Sequence, residues 1–252
     1  MSEQMDKTRS EQQIFEEYAK NIHFLDEGVP ELLEKCLKQK TNSSILDLGC
    51  GEGKILFALK NKNLLKNCQK IVGVDISNVR IQKFLQSVDG SIGIVSDACN
   101  VKQLEDSSFD VIISSMVIEH VPDDRLLLKE IKRLLKKDGR AYVSSVIKGK
   151  HSFYIYKNNG VMRLDPTHVR EYDSEENLKS LIISQGLDPI EIKVKQIKYS
   201  SIDIIIRAIL KMKLIRSDNK IFLKKGMITK LRESIQIPIP GYNSIEVVMK
   251  NK

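Results

Sequence analysis

The segment ILDLGCGEGK, residues 45–54, sets Gly49, Gly51 and Gly53 between a run of aliphatic residues and a stretch of helical spacing. Glycine at such a junction lets the chain turn sharply and lets a ligand approach where a Cβ would collide. A strand, a glycine turn and a helix in this order open an α/β sheet, in which ligands bind outside the carboxyl ends of the strands. The spacing is G-x-G-x-G with Lys54 following, so the G-x-G-x-x-G dinucleotide fingerprint is not met. No G-K-[ST] closes the run, which excludes a Walker A phosphate loop.

Short runs rich in Ile and Val alternate with helically spaced segments, as crossover units on a parallel sheet require. Strands are expected at 44–48, 70–75, 92–96, 109–115 and 140–146, with helices over about 52–61, 78–87 and 123–137. The last helix carries Leu127, Ile131, Leu134 and Leu135 on one face, Asp123 and Asp124 in its first turn, and Lys136, Lys137 and Gly139 at its end. Residues 148–172 form a polar, aromatic-dotted stretch too long for an ordinary connection, the kind of loop that serves as a lid or substrate wall. Asp173 is expected to cap a helix through Ser184, with Glu176 completing a capping-box pattern. Two final strands are expected at 189–197 and 244–250.

The acids at the strand ends select among nucleoside ligands. Asp75 ends KIVGVD, where a carboxylate can accept both hydrogen bonds from a ribose diol. Asp97 ends GIVSDA, where it can accept from an adenine exocyclic amine, and Asp47 lies before the first glycine, where a cationic ammonium would sit. The plainer role for Asp75 and Asp97 is helix N-capping. Three carboxylates without an arginine clamp suit a cationic nucleoside better than a polyphosphate, which describes S-adenosylmethionine.

DLGCGEG, the acid after IVGV, the SDA after the third strand and FDVIISSMVIEHV together resemble the class I S-adenosylmethionine-dependent methyltransferases, most closely the broad type 11 group that includes ubiquinone-biosynthesis-like enzymes. The match covers about residues 40–146. It implies an α/β, Rossmann-like sheet of about seven strands, mostly parallel with the last strand antiparallel, and helices on both faces. It implies S-adenosylmethionine as cofactor, with Gly49, Cys50, Gly51 and Gly53 on the methionine and ribose side and Asp47 nearby. It places Asp75 at the ribose, Ile76 beside the adenine, Asp97 and Ala98 at the adenine edge, and Ser114 and Ser115 towards the methionine tail. His120 in IEHV falls near the reaction centre. The chain has SDACNV where relatives often carry a Leu-Pro stretch.

Methyl transfer from a sulfonium is an in-line displacement governed by positioning, and no metal is expected. A hydroxyl acceptor needs a base, and His120 and His168 are the side chains suited to neutral pH. In DPTHVREY, residues 165–172, alternation would project His168, Arg170 and Tyr172 to one side of an extended chain. Arg170 and Tyr172, with Tyr156 and Arg163 of the same long stretch, are the candidate substrate contacts, against a plain alternative of a solvated edge. Phe15, Tyr18 and Phe24 mark a helical segment that serves either as a cover or as core.

The division expected is an N-terminal helical cover (1–40), an S-adenosylmethionine-binding domain (41–197 and 237–252) and a basic helical insert before the last strand (198–236). The net charge of +8 is concentrated: residues 193–232 hold twelve basic and two acidic side chains, net +10, leaving −2 for the rest. This argues against a protein-wide nucleic-acid surface, and no Asn-Pro-Pro-Tyr box is present. The insert reads either as a solvated helical pair or as a substrate cover that attracts an anionic substrate or makes peripheral contact with an anionic membrane. Four cysteines at irregular spacings indicate neither a zinc knuckle nor a disulfide framework, and a reducing cytoplasm is expected. The first residues lack an apolar signal core, and no run approaches eighteen apolar residues. The functions that fit are methyl transfer to an O or N acceptor on a small molecule such as a sugar or lipid-linked intermediate, methylation of a quinone-type or lipid substrate at a membrane, or cofactor binding without turnover.

Overall fold

Aliphatic side chains on both faces of a strand demand cover on both sides, and β1 (Ser44–Leu48) is buried along its whole length. In the computed structural model, which describes residues 11–18, 28–38, 43–152, 156–158, 161–200 and 236–252, β1 lies at the centre of the sheet. The chain order is α1 (Glu11–Tyr18), α2 (Glu31–Lys38), β1, α3 (Lys54–Asn61), β2 (Lys70–Asp75), α4 (Asn78–Ser87), β3 (Ile92–Val95) and β4 (Phe109–Ser115). It continues with α5 (Asp124–Leu134), β5 (Leu135–Lys148), β6 (Tyr156–Asn158), β7 (Val161–Arg163), α6 (Glu175–Ser184), β8 (Leu187–Ser200) and β9 (Gln236–Asn251).

Seven strands form one sheet in the order β3-β2-β1-β4-β5-β9-β8. Pairs from β3 to β5 are parallel, and β9 runs antiparallel to both β5 and β8. The expected antiparallel last strand is therefore present, and β8 points the same way as the first five. Alternation along β1 divides the core into two layers. Leu46 and Leu48 join Leu127, Ile131, Leu178 and Ile182 of α5 and α6 on one face, while Ile45 joins Leu33, Leu56 and Phe84 of α2, α3 and α4 on the other.

The boundaries depart from expectation where backbone chemistry intervenes. The helix expected from residue 52 begins at Lys54, because Gly51 and Gly53 are both left-handed, with φ of +54° and +82°. The helix expected over 123–137 stops at Leu134, so Lys136, Lys137 and Gly139 belong to the long strand β5 and not to a helix end. Asp123 does cap that helix, accepting from the amides of Arg125 and Leu126. At the next helix the cap is Ser174, whose hydroxyl accepts from the Asn177 amide, and not Asp173. The long stretch after β5 contains the antiparallel pair β6–β7 and returns to the carboxyl end of β5 through a bridge between Ile147 and Tyr172. β8 and β9 outrun their apolar cores, reaching Ser200 and starting at Gln236, so the expected basic helical insert at 198–236 loses its ends to strands. Residues 201–235 of that insert and Phe24 of the N-terminal cover lie outside the described residues. No helix among the described residues is long and apolar enough to cross a membrane.

Candidate active site

A cavity of about 410 Å³ opens at the carboxyl ends of the central strands. Its floor is the glycine turn. The amides of Gly49 and Cys50 both donate to the Val74 carbonyl at 2.8 Å, which ties the turn to β2. Gly49 has φ +85°, and a Cβ there would sit 2.4 Å from a Val117 methyl. At Gly51 a Cβ would meet nothing nearer than the Arg80 guanidinium at 3.9 Å, so the missing side chain leaves open room beside the acids.

Asp75, buried at the end of β2, accepts from the Gly51 amide on one oxygen and the Ser77 amide on the other, each at 2.9 Å. Burial raises its carboxyl above the usual range, partly offset by Arg80, whose guanidinium lies 3.8 Å away, and by the two amides. Each carboxylate oxygen retains acceptor capacity, as a ribose diol requires. Asp47, also buried, is pushed up to about 7 by burial and by the neighbouring Asp75 charge. The same burial and the two acids hold the Cys50 thiol protonated, so this cysteine lines the cavity as a small neutral group. Across the cavity Asp97 is exposed and its Oδ1 accepts from the Cys99 amide at 2.8 Å.

Of the residues expected to hold cofactor, Asp47, Gly49, Cys50, Gly51, Asp75, Ile76, Asp97, Ala98 and Ser115 line this cavity. Gly53 does not, since its bare Cα faces Phe84, where a Cβ would approach to 2.7 Å. Ser114 does not either. Side chains alternate along β4, so Ser115 reaches the cavity and bonds Ser144 Oγ at 2.8 Å, while the Ser114 hydroxyl is buried without a partner.

The far wall is the turn after β4 and the segment that docks on it. His120 lines the cavity with its ring edge-on to Phe15 of α1, whose ring also lies under the Arg80 guanidinium. Thr167 and Asp165 line it as well. His168 does not. It is buried behind His120, ring centroids 4.9 Å apart, with Nδ1 donating to Glu171 Oε1 at 2.9 Å. Burial opposes ionisation of Glu171, but the bonds from His168, the Leu164 amide and the Tyr242 hydroxyl prevail and hold its carboxyl low.

Arg170 and Tyr172 brace this wall and do not reach the cavity. The Arg170 guanidinium donates to the carbonyls of Ile118, Val121 and Pro122 and pairs with Asp124, and the Tyr172 hydroxyl donates to the same carboxylate at 3.0 Å. Tyr156 and Arg163 pair opposite each other on β6–β7, away from the cavity lining. Glu119, fully buried, accepts from Ser145 Oγ at 3.0 Å, and burial pushes its carboxyl up to about 7. Glu119, His120 and His168 bring one ligand-capable atom each within 4.8 Å of one another, with both Nδ1 atoms already bonded to Thr167 and Glu171.

Sequence reasoning passed over Arg80, Met116, Asp165 and Thr167. Met116 carried a usable signal only in three dimensions: it sits at φ +55°, a strained conformation for a long side chain, held by its amide bonding to Ser144. Asp165 and Thr167 reach the site from 50 and 52 residues beyond the end of β4, a closeness that spacing does not encode.

Residues 39–186 match the family model described as a methyltransferase domain. The chain is 28% identical over 174 residues to the ubiquinone/menaquinone biosynthesis C-methyltransferase UbiE of Geobacter sulfurreducens, covering 60% of this chain and 67% of that one. It is 29% identical over 155 residues to arsenite methyltransferase of Rattus norvegicus, covering 55% and 38%. The chain spans under half the length of several curated relatives that it matches. Among solved structures, the [4+2]-cyclase SpnF superposes with a TM-score of 0.63 at 15% identity, covering 96% of this chain and 97% of that one, so the fold alone does not select the reaction. With the family match spanning the glycine turn, the strand-end acids and the His120 wall, the chain belongs to the methyltransferase-domain family, whose methyl donor is S-adenosylmethionine.

Proposed function

We propose that this protein transfers a methyl group from S-adenosylmethionine to an O or N acceptor on a small molecule, of a size such as a sugar or lipid-linked intermediate. The observation that carries this reading is the pairing of Asp75, with spare acceptor capacity, and the room left at Gly51 beside Asp47 in one cavity. Asp75 would accept from the ribose hydroxyls, Asp97 from the adenine amine, and Asp47 would face the ammonium. When bound, the donor supplies an electrophilic methyl on a cationic sulfur. The chain's own residues supply position and water exclusion: Phe15, Met116 and Val121 give the cavity an apolar wall on the side of His120. Holding two reactants in near-attack geometry contributes about 7–11 kcal/mol. His120 is the proton acceptor of this wall. Burial and the nearby His168 pull its pKa well below the usual imidazole value, so the ring is neutral at neutral pH.

Calorimetric titration with S-adenosylmethionine and with S-adenosylhomocysteine tests the donor site, and absence of heat with both would sink it. Release of S-adenosylhomocysteine across an acceptor panel separates turnover from cofactor binding alone.

A lipid or quinone-type acceptor at a membrane surface is favoured by a second observation. Tyr156 and Val161 stand exposed on one face of the β6–β7 hairpin that follows β5. Part of the basic stretch is neutralised, since Lys193 pairs with Glu31 and Lys195 with Glu246. Sedimentation with anionic vesicles at low and high salt reads this out, and no pelleting at low salt removes it.

A further inference from the structure

The hydrogen bonds around His120 fix which of its two nitrogens carries the proton. Nδ1 lies 3.1 Å from the Thr167 hydroxyl and 3.3 Å from the Thr167 carbonyl oxygen. A carbonyl oxygen only accepts. The hydroxyl has one hydrogen, and it is donated to Asp165 Oδ1 at 2.6 Å, so towards His120 it too can only accept. Both contacts require a hydrogen on Nδ1, and in the neutral ring Nε2 then holds the lone pair. Asp165 is itself anchored, with Oδ1 accepting from the Thr167 amide at 2.8 Å and its carbonyl from the His168 amide at 3.2 Å. The three residues come from two segments that meet only in the folded chain, because the Glu119 carbonyl accepts from the amides of Val169 and Arg170.

We propose that Asp165 and Thr167 are positioning residues that lock His120 as its Nδ1–H tautomer, so that Nε2 takes the proton of the methyl acceptor. This rests on the methyltransferase reading above and deepens it, since it restricts the acceptor to one whose O–H or N–H must be lost. The acceptor's O–H or N–H bond breaks as its electron pair forms the bond to the methyl carbon. The carbon–sulfur pair stays on sulfur, and the proton passes to Nε2. Burial and His168 disfavour the imidazolium so formed, and its link through Thr167 to the Asp165 carboxylate offsets part of that cost until the proton returns to solvent as product leaves. The charged or titratable groups around the ring are His168 behind it, Asp165 and Arg80 on the cavity side, and Glu119 beside it in the chain. His168 serves as the rear wall here, because its own Nδ1 is spent on Glu171. A simple turn motif at Asp-Pro-Thr would shape the loop equally well with either tautomer, and this difference is measurable.

The test is a long-range proton–nitrogen correlation spectrum of the imidazole rings in the ¹⁵N-labelled full chain, with His120→Gln identifying the His120 signals among the four histidines. Wild type and Thr167→Ser are expected to show protonated Nδ1 and bare Nε2 at neutral pH. Thr167→Val, of the same shape, loses the hydroxyl acceptor and keeps only the longer carbonyl contact at 3.3 Å, so it is expected to raise the fraction of the Nε2–H form. Nε2–H in wild type, or an unchanged tautomer in Thr167→Val, overturns the proposal. If the valine variant does not fold, the wild-type and serine spectra still decide it. Calorimetric titration with S-adenosylmethionine separates the two layers: no donor binding overturns the methyltransferase reading, while donor binding together with an Nε2–H wild-type ring overturns the tautomer lock alone. In turnover, Thr167→Val is expected to lower kcat at least about tenfold and to leave KM for the donor unchanged, with Thr167→Ser restoring the rate.

Discussion

Asp47 sits buried in the central strand with a carboxyl held at about 7 instead of 3.8, by burial first and by the Asp75 charge second. Replacing it with asparagine keeps the shape of the protonated acid and removes the charge. The unfolded chain releases the Asp47 proton near 3.8, while the folded protein keeps it until about 7. A raised acid of this kind leaves stability intact below the lower value and loses it as the pH climbs through the interval to the higher one. The whole interval corresponds to at most about 4 kcal/mol. Asp47→Asn is therefore expected to match wild type near pH 4 and to gain progressively up to about pH 7, with the advantage constant above it. Even half of the ceiling raises the melting temperature by about 4–8 °C in a protein of this size. The assay is thermal unfolding of the unliganded protein followed by circular dichroism at pH 4 and pH 8. The cost appears in binding. If Asp47 faces the donor's ammonium, the variant is expected to bind S-adenosylmethionine about tenfold to a hundredfold more weakly at pH 8, the worth of one charged hydrogen bond. An asparagine variant that gains the same stability at both pH values, or none at either, refutes the buried-charge argument. One that gains stability and binds donor as wild type does refutes the ammonium role alone.

Three further outcomes follow from the same geometry. Gly49→Ala forces a Cβ to within 2.4 Å of Val117 at φ +85°, so it is expected to cost about 1–3 kcal/mol of stability and to abolish calorimetric donor binding by moving the turn. Asp75→Ala leaves the Gly51 and Ser77 amides without their acceptor, and is expected to lose donor binding together with about 1–3 kcal/mol of stability in denaturant melts. Arg170→Ala frees three carbonyls of the 118–122 turn and is expected to lower the melting temperature by several degrees with no recovery in Arg170→Lys, whereas a direct substrate contact would change KM for the acceptor and leave stability alone.

The parts of the fold legible in the sequence are those governed by neighbours in the chain. The parallel strands announce themselves as β-branched runs because both faces of β1, β2 and β4 are covered. The end of α5 was not legible, because Leu135 suits a helix face and a buried strand alike. What decides is its pairing with Phe109 across the sheet, a contact 26 residues away. Capping at Asp173 or Ser174 rests on one backbone rotation that two adjacent polar residues compete to make, and the serine prevails.

The site divides along the same line. The glycines at 49 and 51 and the acids Asp47, Asp75 and Asp97 lie at or near strand ends, so an apolar run followed by a turn locates them, and this side of the cavity can be read from the sequence. The acceptor side is another matter. Arg170 and Tyr172, read as substrate contacts, are spent on carbonyls and on Asp124, while Asp165 and Thr167, passed over, reach the cavity beside His120. The amino-acid sequence by itself determined the sheet and the half of the site built from strand ends, because hydrophobic period and glycine conformation are local properties. Only the tertiary structure decided which side chains of the 165–172 segment face inward, because that depends on how one irregular segment seats its backbone amides on the Glu119 carbonyl, a long-range contact that no spacing records.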